Sequence, residues 1–110
     1  MRQINEDELS EIVIDFTKKD ELNEDWSAWF GYGIKNLLKR MFGGTGLPVS
    51  VKGTPSDVRN FATTLGKEKK YLSHASSLGL DNPRTYRSKS ELDRAVKKFK
   101  RFTGIDWPMR

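Results

Sequence analysis

The chain has 110 residues, room for one modest core, since single domains run about 100–150 residues. Its 35% hydrophobic and 32% charged residues describe a soluble globular composition with a large wetted surface. There is no cysteine, which excludes disulfides, thiolate zinc sites and cysteine nucleophiles, and the single histidine, His74, cannot alone build a histidine-rich metal site or a two-histidine acid–base pair.

No apolar run approaches the roughly 18–20 residues of a membrane span, and the acidic start is unlike a signal peptide. The net charge of +5 at pH 7 hides an uneven distribution. Residues 1–25 hold nine acids against Arg2, Lys18 and Lys19, a net −6, while residues 26–110 hold seventeen bases against six acids, a net +11. The sequence therefore divides into an acidic N-terminal arm, 1–24, and a basic helical domain, 25–110. Such an arm can fold back on the body and shield it from polyanions. Alternatively, its acids complement the dipole at the start of a helix.

Within the arm, Asn5 with Glu8 fits a capping box, and Leu9, Ile12, Val13 and Phe16 recur at i, i+3, i+4, i+7. This spacing predicts a helix from about Glu6 to Phe16. The β-branched run Ile12-Val13-Ile14 makes a strand over 11–16 the alternative. Residues 18–24 read as a polar linker.

Trp26, Trp29, Phe30, Ile34, Leu37, Leu38 and Met41 then form one broad helical face, with Asp25 as the N-cap and Gly43-Gly44-Thr45-Gly46 as the stop. Gly31 and Gly33 weaken this helix but let another chain segment approach closely. Leu47–Lys52 alternates like a short strand. Thr54 at the N-cap and Pro55 at N1 open the next helix, which runs to about Leu78 with Gly79 at C′ and Gly66 as a point of kinking. Asp81-Asn82-Pro83 reads as a turn. Ser88 and Glu91 form a capping box for a last helix whose stripe is Leu92, Ala95, Val96, Phe99 and either Phe102 or Thr103. Gly104 ends it, with Ile105 placed for the C″ contact of a Schellman motif and Trp107-Pro108 pinning the tail.

The fold expected is mainly α: a compact three- to four-helix domain with one or two short β-strands, the strand at 48–52 pairing with residues 11–16. An α+β arrangement is the alternative.

Catalytic parts are missing. His74 has Ser73, Ser76 and Ser77 nearby, but adjacent helical positions point to different faces, so they form no triad. The glycines at 43–46 follow a helix and precede a strand, the reverse of the order that aims N–H groups at a phosphate, and no Gly-Lys-Ser/Thr follows. The carboxylates show neither calcium-loop spacing nor signs of the burial that general acid–base work needs. The sequence points to no enzyme, no cofactor and no metal.

The basic residues are the informative ones. Arg94, Lys97, Lys98 and Arg101 recur at i, i+3, i+4, i+7, approached by Arg84, Arg87 and Lys89 in the preceding loop. Such a surface binds phosphate backbones with little sequence preference, and Tyr86 is placed to stack on an exposed base. Lys67, Lys69 and Lys70 offer a second patch. The competing reading is a solvated helix face. Trp26, Trp29 and Phe30 are candidates for a protein-interaction surface, because aromatics concentrate binding energy, and equally for the core.

Two stretches carry a resemblance. From Leu47 onward, the short strand, the Gly53-Thr54-Pro55 helix start and the terminal Phe102-Thr103-Gly104-Ile105-Asp106-Trp107-Pro108 resemble small structural and accessory proteins of large tailed bacteriophages. Asn23-Glu24-Asp25-Trp26 followed by Trp29-Phe30-Gly31 is similar to N-terminal parts of small phage virion proteins. The resemblance implies a virion or host-cytoplasm setting and a non-enzymatic, head-associated protein that contacts nucleic acid or acidic virion proteins, with self-association an option. The alternative is an early phage protein that binds and inhibits a host protein. Leu22-Asn23-Glu24 also resembles the hydrophobic-x-Glu sites cut by phage prohead proteases, as do Ile4-Asn5-Glu6 and Leu9-Ser10-Glu11.

Overall fold

The computed structural model describes residues 11–17 and 24–109, with side chains from residue 27 in the second stretch. It is mainly helical, with three helices and one small sheet: β1 (Ile12–Asp15), α1 (Glu24–Met41), β2 (Val49–Lys52), α2 (Pro55–Leu78) and α3 (Pro83–Thr103). The chain forms two compact units that divide after Lys52.

The first unit is a β–α–β arrangement. β1 and β2 pair in parallel, Ile12 opposite Val49 and Ile14 opposite Val51, with the helix as the connection that parallel strands require. Residues 12–15 are therefore a strand, and the helix expected over 6–16 does not form there. Three consecutive β-branched residues favour the extended form, and β2 supplies a hydrogen-bonding partner. The part of that helix over residues 6–10 lies outside the described residues.

Ile12, Ile14 and Phe16, all inside the stretch read as an acidic arm, are fully buried with Phe30, Ile34 and Leu38 of α1. Phe16 meets Phe30 edge to face at 5.7 Å. Gly33 lets α1 lie against β1: a β-carbon there would sit 2.7 Å from Ile14 Cδ1 and 3.0 Å from its Cγ1.

The glycines after α1 form a helix cap. Gly44 N–H donates to Lys39 C=O (2.8 Å) and Gly43 N–H to Arg40 C=O (3.1 Å), with Gly43 at φ +86°. These are the two bonds and the left-handed C′ residue of a Schellman motif. Asn36 ties the following loop down, its Oδ1 accepting from Leu47 N–H at 3.0 Å.

The second unit is an α-hairpin closed by its own tail. Thr54 caps α2 through Asp57 N–H (3.1 Å), with Pro55 at N1 as the sequence predicts. The helix runs unbroken through Gly66. α3 starts earlier than its Ser88–Glu91 signal indicates. Asn82 is the N-cap, its Oδ1 accepting from Arg84 N–H at 2.9 Å, and Pro83 occupies N1. A proline restricts the residue before it to the extended backbone an N-cap needs, while its own fixed φ starts a helix. Ser88 lies instead inside the helix, buried, with its hydroxyl on Arg84 C=O (3.0 Å).

α3 ends at Gly104, whose N–H donates to Lys100 C=O (2.8 Å). The Thr103 hydroxyl takes the Ile105 N–H (3.2 Å), so the cap is the single-bond left-handed type and the Schellman pair expected here does not form. Ile105 is nevertheless buried.

Leu92, Phe99 and Thr103 of α3 are buried with Phe61, Thr64 and Leu65 of α2. Trp107 is buried as well, 5.3 Å from Phe99 edge to face and 5.9 Å from Phe61. Its indole N–H donates to the Glu68 carboxylate, itself only 2% exposed, at 3.0 Å. Trp107→Phe keeps one aromatic ring in place but removes that donor and part of the buried indole, so it should lower unfolding free energy by at least about 1–3 kcal/mol. Urea unfolding followed by circular dichroism measures this, and a loss under 0.5 kcal/mol (roughly the floor for a net hydrogen bond) would show that the Trp107–Glu68 bond is immaterial.

Candidate functional site

Starting α3 at Pro83 puts Arg84, Arg87 and Lys89, expected in a loop, on the same helix as Arg94, Lys97, Lys98 and Arg101. At ~100° per residue, Arg87, Arg94, Lys98 and Arg101 fall within roughly 60° of one another and span roughly 21 Å of helix. All four are exposed. They lie opposite the stripe of Thr85, Ser88, Leu92, Phe99 and Thr103 that the hairpin buries. Arg84 and Lys97 stand on the two shoulders of this ridge.

Lys89 faces elsewhere. It lines a separate cleft of about 200 Å³ with Tyr71, Leu80, Asp81, Thr85 and Tyr86. Tyr86, the predicted stacking residue, is 59% exposed but belongs to that cleft.

Three cations of this unit pair with carboxylates among the described residues, and those of the ridge do not. Lys100 is held by Asp106 at 2.8 Å, and Lys67 and Lys70 share Glu91 at 3.4 and 3.1 Å. Arg84, Arg87, Lys89, Arg94, Lys97, Lys98 and Arg101 have no carboxylate within 4.0 Å among the described residues. Among the described residues, the single carboxylate of Glu91 thus offsets part of the charge of the patch read at Lys67, Lys69 and Lys70, and none offsets the α3 ridge. α3 also has no acid in its first turn. Arg84 therefore adds its charge to the positive end of the helix dipole, an arrangement unfavourable for an isolated helix and favourable for an approaching anion.

Between α2 and α3, beside the ridge, lies a shallow depression of about 290 Å³ lined by Lys67, Glu91, Arg94, Ala95 and Lys98. Further along, Phe102 is 52% exposed. Lys98 Nζ stands 5.8 Å and Arg101 Cζ 5.4 Å from its ring centroid. The sequence left Phe102 and Thr103 as alternatives for the core, and Thr103 fills that place.

The aromatic candidates of α1 are placed differently. Phe30 is 1% exposed, so its ring offers no contact surface. Trp29 is half-buried and donates its indole N–H to Val13 C=O at 2.9 Å. The side chain of Trp26 lies outside the described residues.

His74 is half-buried, its Nδ1 2.5 Å from Ser88 Oγ, a link between α2 and α3. Among the described residues, no group of three His, Asp or Glu is arranged to hold a metal ion, and no helix is long and apolar enough to cross a membrane. No protein-family model matches the chain, and neither the curated proteins nor the solved structures compared with it show a match.

The Glu91 carboxyl is held below its ordinary value of 4.5 by hydrogen bonds from Lys70 and then Lys67. A depressed folded-state pKa contributes stability that is present above the unfolded pKa and lost as pH falls through the folded one. Glu91→Gln should therefore lower Tm slightly at pH 7, and the gap to the unsubstituted chain should close on acidification below pH 4.5. Thermal melts across that range test this; a gap that persists unchanged in acid would contradict it.

Proposed function

We propose that the chain is a non-enzymatic nucleic-acid-binding protein whose α3 ridge contacts the phosphate backbone. The carrying observation is the alignment of Arg87, Arg94, Lys98 and Arg101 on one exposed face with no carboxylate partner among the described residues. A solvated face on a soluble helix is usually laced with acids, which stabilise it and limit non-specific association. The 21 residues of α3 carry eight bases and only two acids, Glu91 and Asp93. Glu91 is turned to the lysines of α2. The second unit as a whole, residues 53–110, carries thirteen bases against six acids, a net +7, whereas residues 1–52 sum to −2.

Binding of this kind is driven by counterion release and takes any sequence. The setting we propose, a phage virion or the cytoplasm of an infected host, follows from the resemblance of the 23–31 and 47–108 stretches. Inhibition of a host protein through Trp26, Trp29 and Phe30 is the weaker reading, because it needs the Phe30 ring that the core uses. Release of an arm by cleavage after Glu24 is also disfavoured. It would remove β1, and with it Ile12, Ile14 and Phe16, from the core of the first unit.

Fluorescence anisotropy of the full chain with a generic labelled oligonucleotide, across about 50–200 mM salt, tests the proposal. With three or four phosphates neutralised, log K should fall against log salt with a slope of roughly −2 to −4, depending on strandedness. Each of Arg94→Gln, Lys98→Gln and Arg101→Gln should reduce that slope by about 1 and weaken binding alike on unrelated sequences. Salt-independent binding, or three variants that bind as tightly as the parent, would refute it.

A further inference from the structure

Phe102 separates two kinds of nucleic acid. Tyr86 and Phe102 are the two large apolar side chains that α3 leaves exposed, and only Phe102 stands with the ridge. The fold does not need it there, since Thr103 and Ile105 fill the end of the core. Two cations attend its ring: Lys98 at 5.8 Å and Arg101 at 5.4 Å from the centroid, neither paired with a carboxylate of the described residues.

A phosphate-binding ridge alone would serve a duplex or a single strand equally. An aromatic ring set among its cations does not. In a duplex the bases are stacked on one another, and the outer surface offers phosphates and groove edges, which give a phenyl ring no flat face to meet. A single strand has unstacked bases. Each carries a π-face, and its neighbouring phosphates lie within reach of cations beside the ring.

We propose that the ridge takes single-stranded nucleic acid, with one unstacked base on Phe102 and the adjoining phosphates on Lys98 and Arg101. This rests on the reading of the ridge as a phosphate-binding surface. Stacking of this kind tolerates any base, so the protein would bind with little sequence preference. The lysine and arginine near the ring would move from the phenyl face to the phosphates as the base arrives, exchanging a cation–π contact for a charge-assisted one.

The experiment uses the full chain and three labelled probes: a short oligodeoxyuridylate, an oligouridylate of the same length, and a duplex of matching length. Anisotropy is read at one low salt concentration. Phe102→Ala should weaken the single strands about tenfold and leave the duplex within about twofold, and Phe102→Trp should keep the binding. A thermal melt checks that the Ala variant folds, as expected for a half-exposed side chain. If only one of the two strands shows the Phe102 dependence, the proposal stands and the sugar is identified.

Equal losses on single strand and duplex, or no loss with Phe102→Ala, would overturn it. The double variant Lys98→Gln/Arg101→Gln separates the two levels of the account. If it weakens all three probes while Phe102→Ala weakens none, the phosphate ridge survives and the stacking role falls. If it weakens none, both fall.

Discussion

The Trp107 indole stands edge-on to Phe99, rests near Phe61 and donates its N–H to a carboxylate, Glu68, that the hairpin has taken out of water. The rotation of α3 about its own axis depends on this contact. The helix is polar by composition, with ten charged residues among twenty-one, and buries only a narrow stripe. In much of that stripe the residues are small and hydroxylic: Thr85, Ser88 and Thr103 turn their hydroxyls back onto carbonyls of Gly79, Arg84 and Phe99. Their polar groups are thereby satisfied without water. Leu92 and Phe99 supply the apolar area, and the tail closes over Phe99. With that side of the helix fixed inward, Arg87, Arg94, Lys98 and Arg101 have one place to go, and it is solvent.

The site is therefore a remainder. Cations near a carboxylate have been used: Lys100 by Asp106, and Lys67 and Lys70 by Glu91, which holds them towards the seam between the helices. Among the cations that pair with no carboxylate of the described residues, four form a row of like charges along one helix face, kept apart by the helical pitch. An arrangement in which four aligned cations pair with no carboxylate of the described residues, with an exposed phenyl ring among them, is one in which local preference and the needs of the fold disagree. Such disagreements concentrate where a protein meets its ligand.

Much of this was legible in the residues, for identifiable reasons. Thr54-Pro55 is a cap and an N1 proline in sequence and in space, and Gly104 ends α3 where its pattern stops. The alternation at 48–52 is a strand. Residues 12–16 satisfied both the helical and the extended period, and only the pairing with β2, more than thirty residues away, decides between them. The Ser88–Glu91 spacing imitates a capping box although Asn82-Pro83, read as a turn, begins the helix. That shift moved Arg87 from a loop onto the ridge. Phe102 against Thr103 was a question of helix rotation, which Trp107 answers through contacts with Phe61 and Phe99 and a bond to Glu68 that no local pattern announces.

Under the proposed function, a polyanion meets this protein along one face of α3. Backbone and side-chain NMR shifts of the isotopically labelled full chain, followed while an oligonucleotide is titrated in, test it most directly. Shifts should concentrate at Arg87, Arg94, Lys98, Arg101 and Phe102, fade on the buried stripe of the same helix and leave the β–α–β unit unchanged. Shifts centred on α1 or on the cleft beside Tyr71 and Leu80, or scattered over every lysine and arginine of the chain, would contradict it.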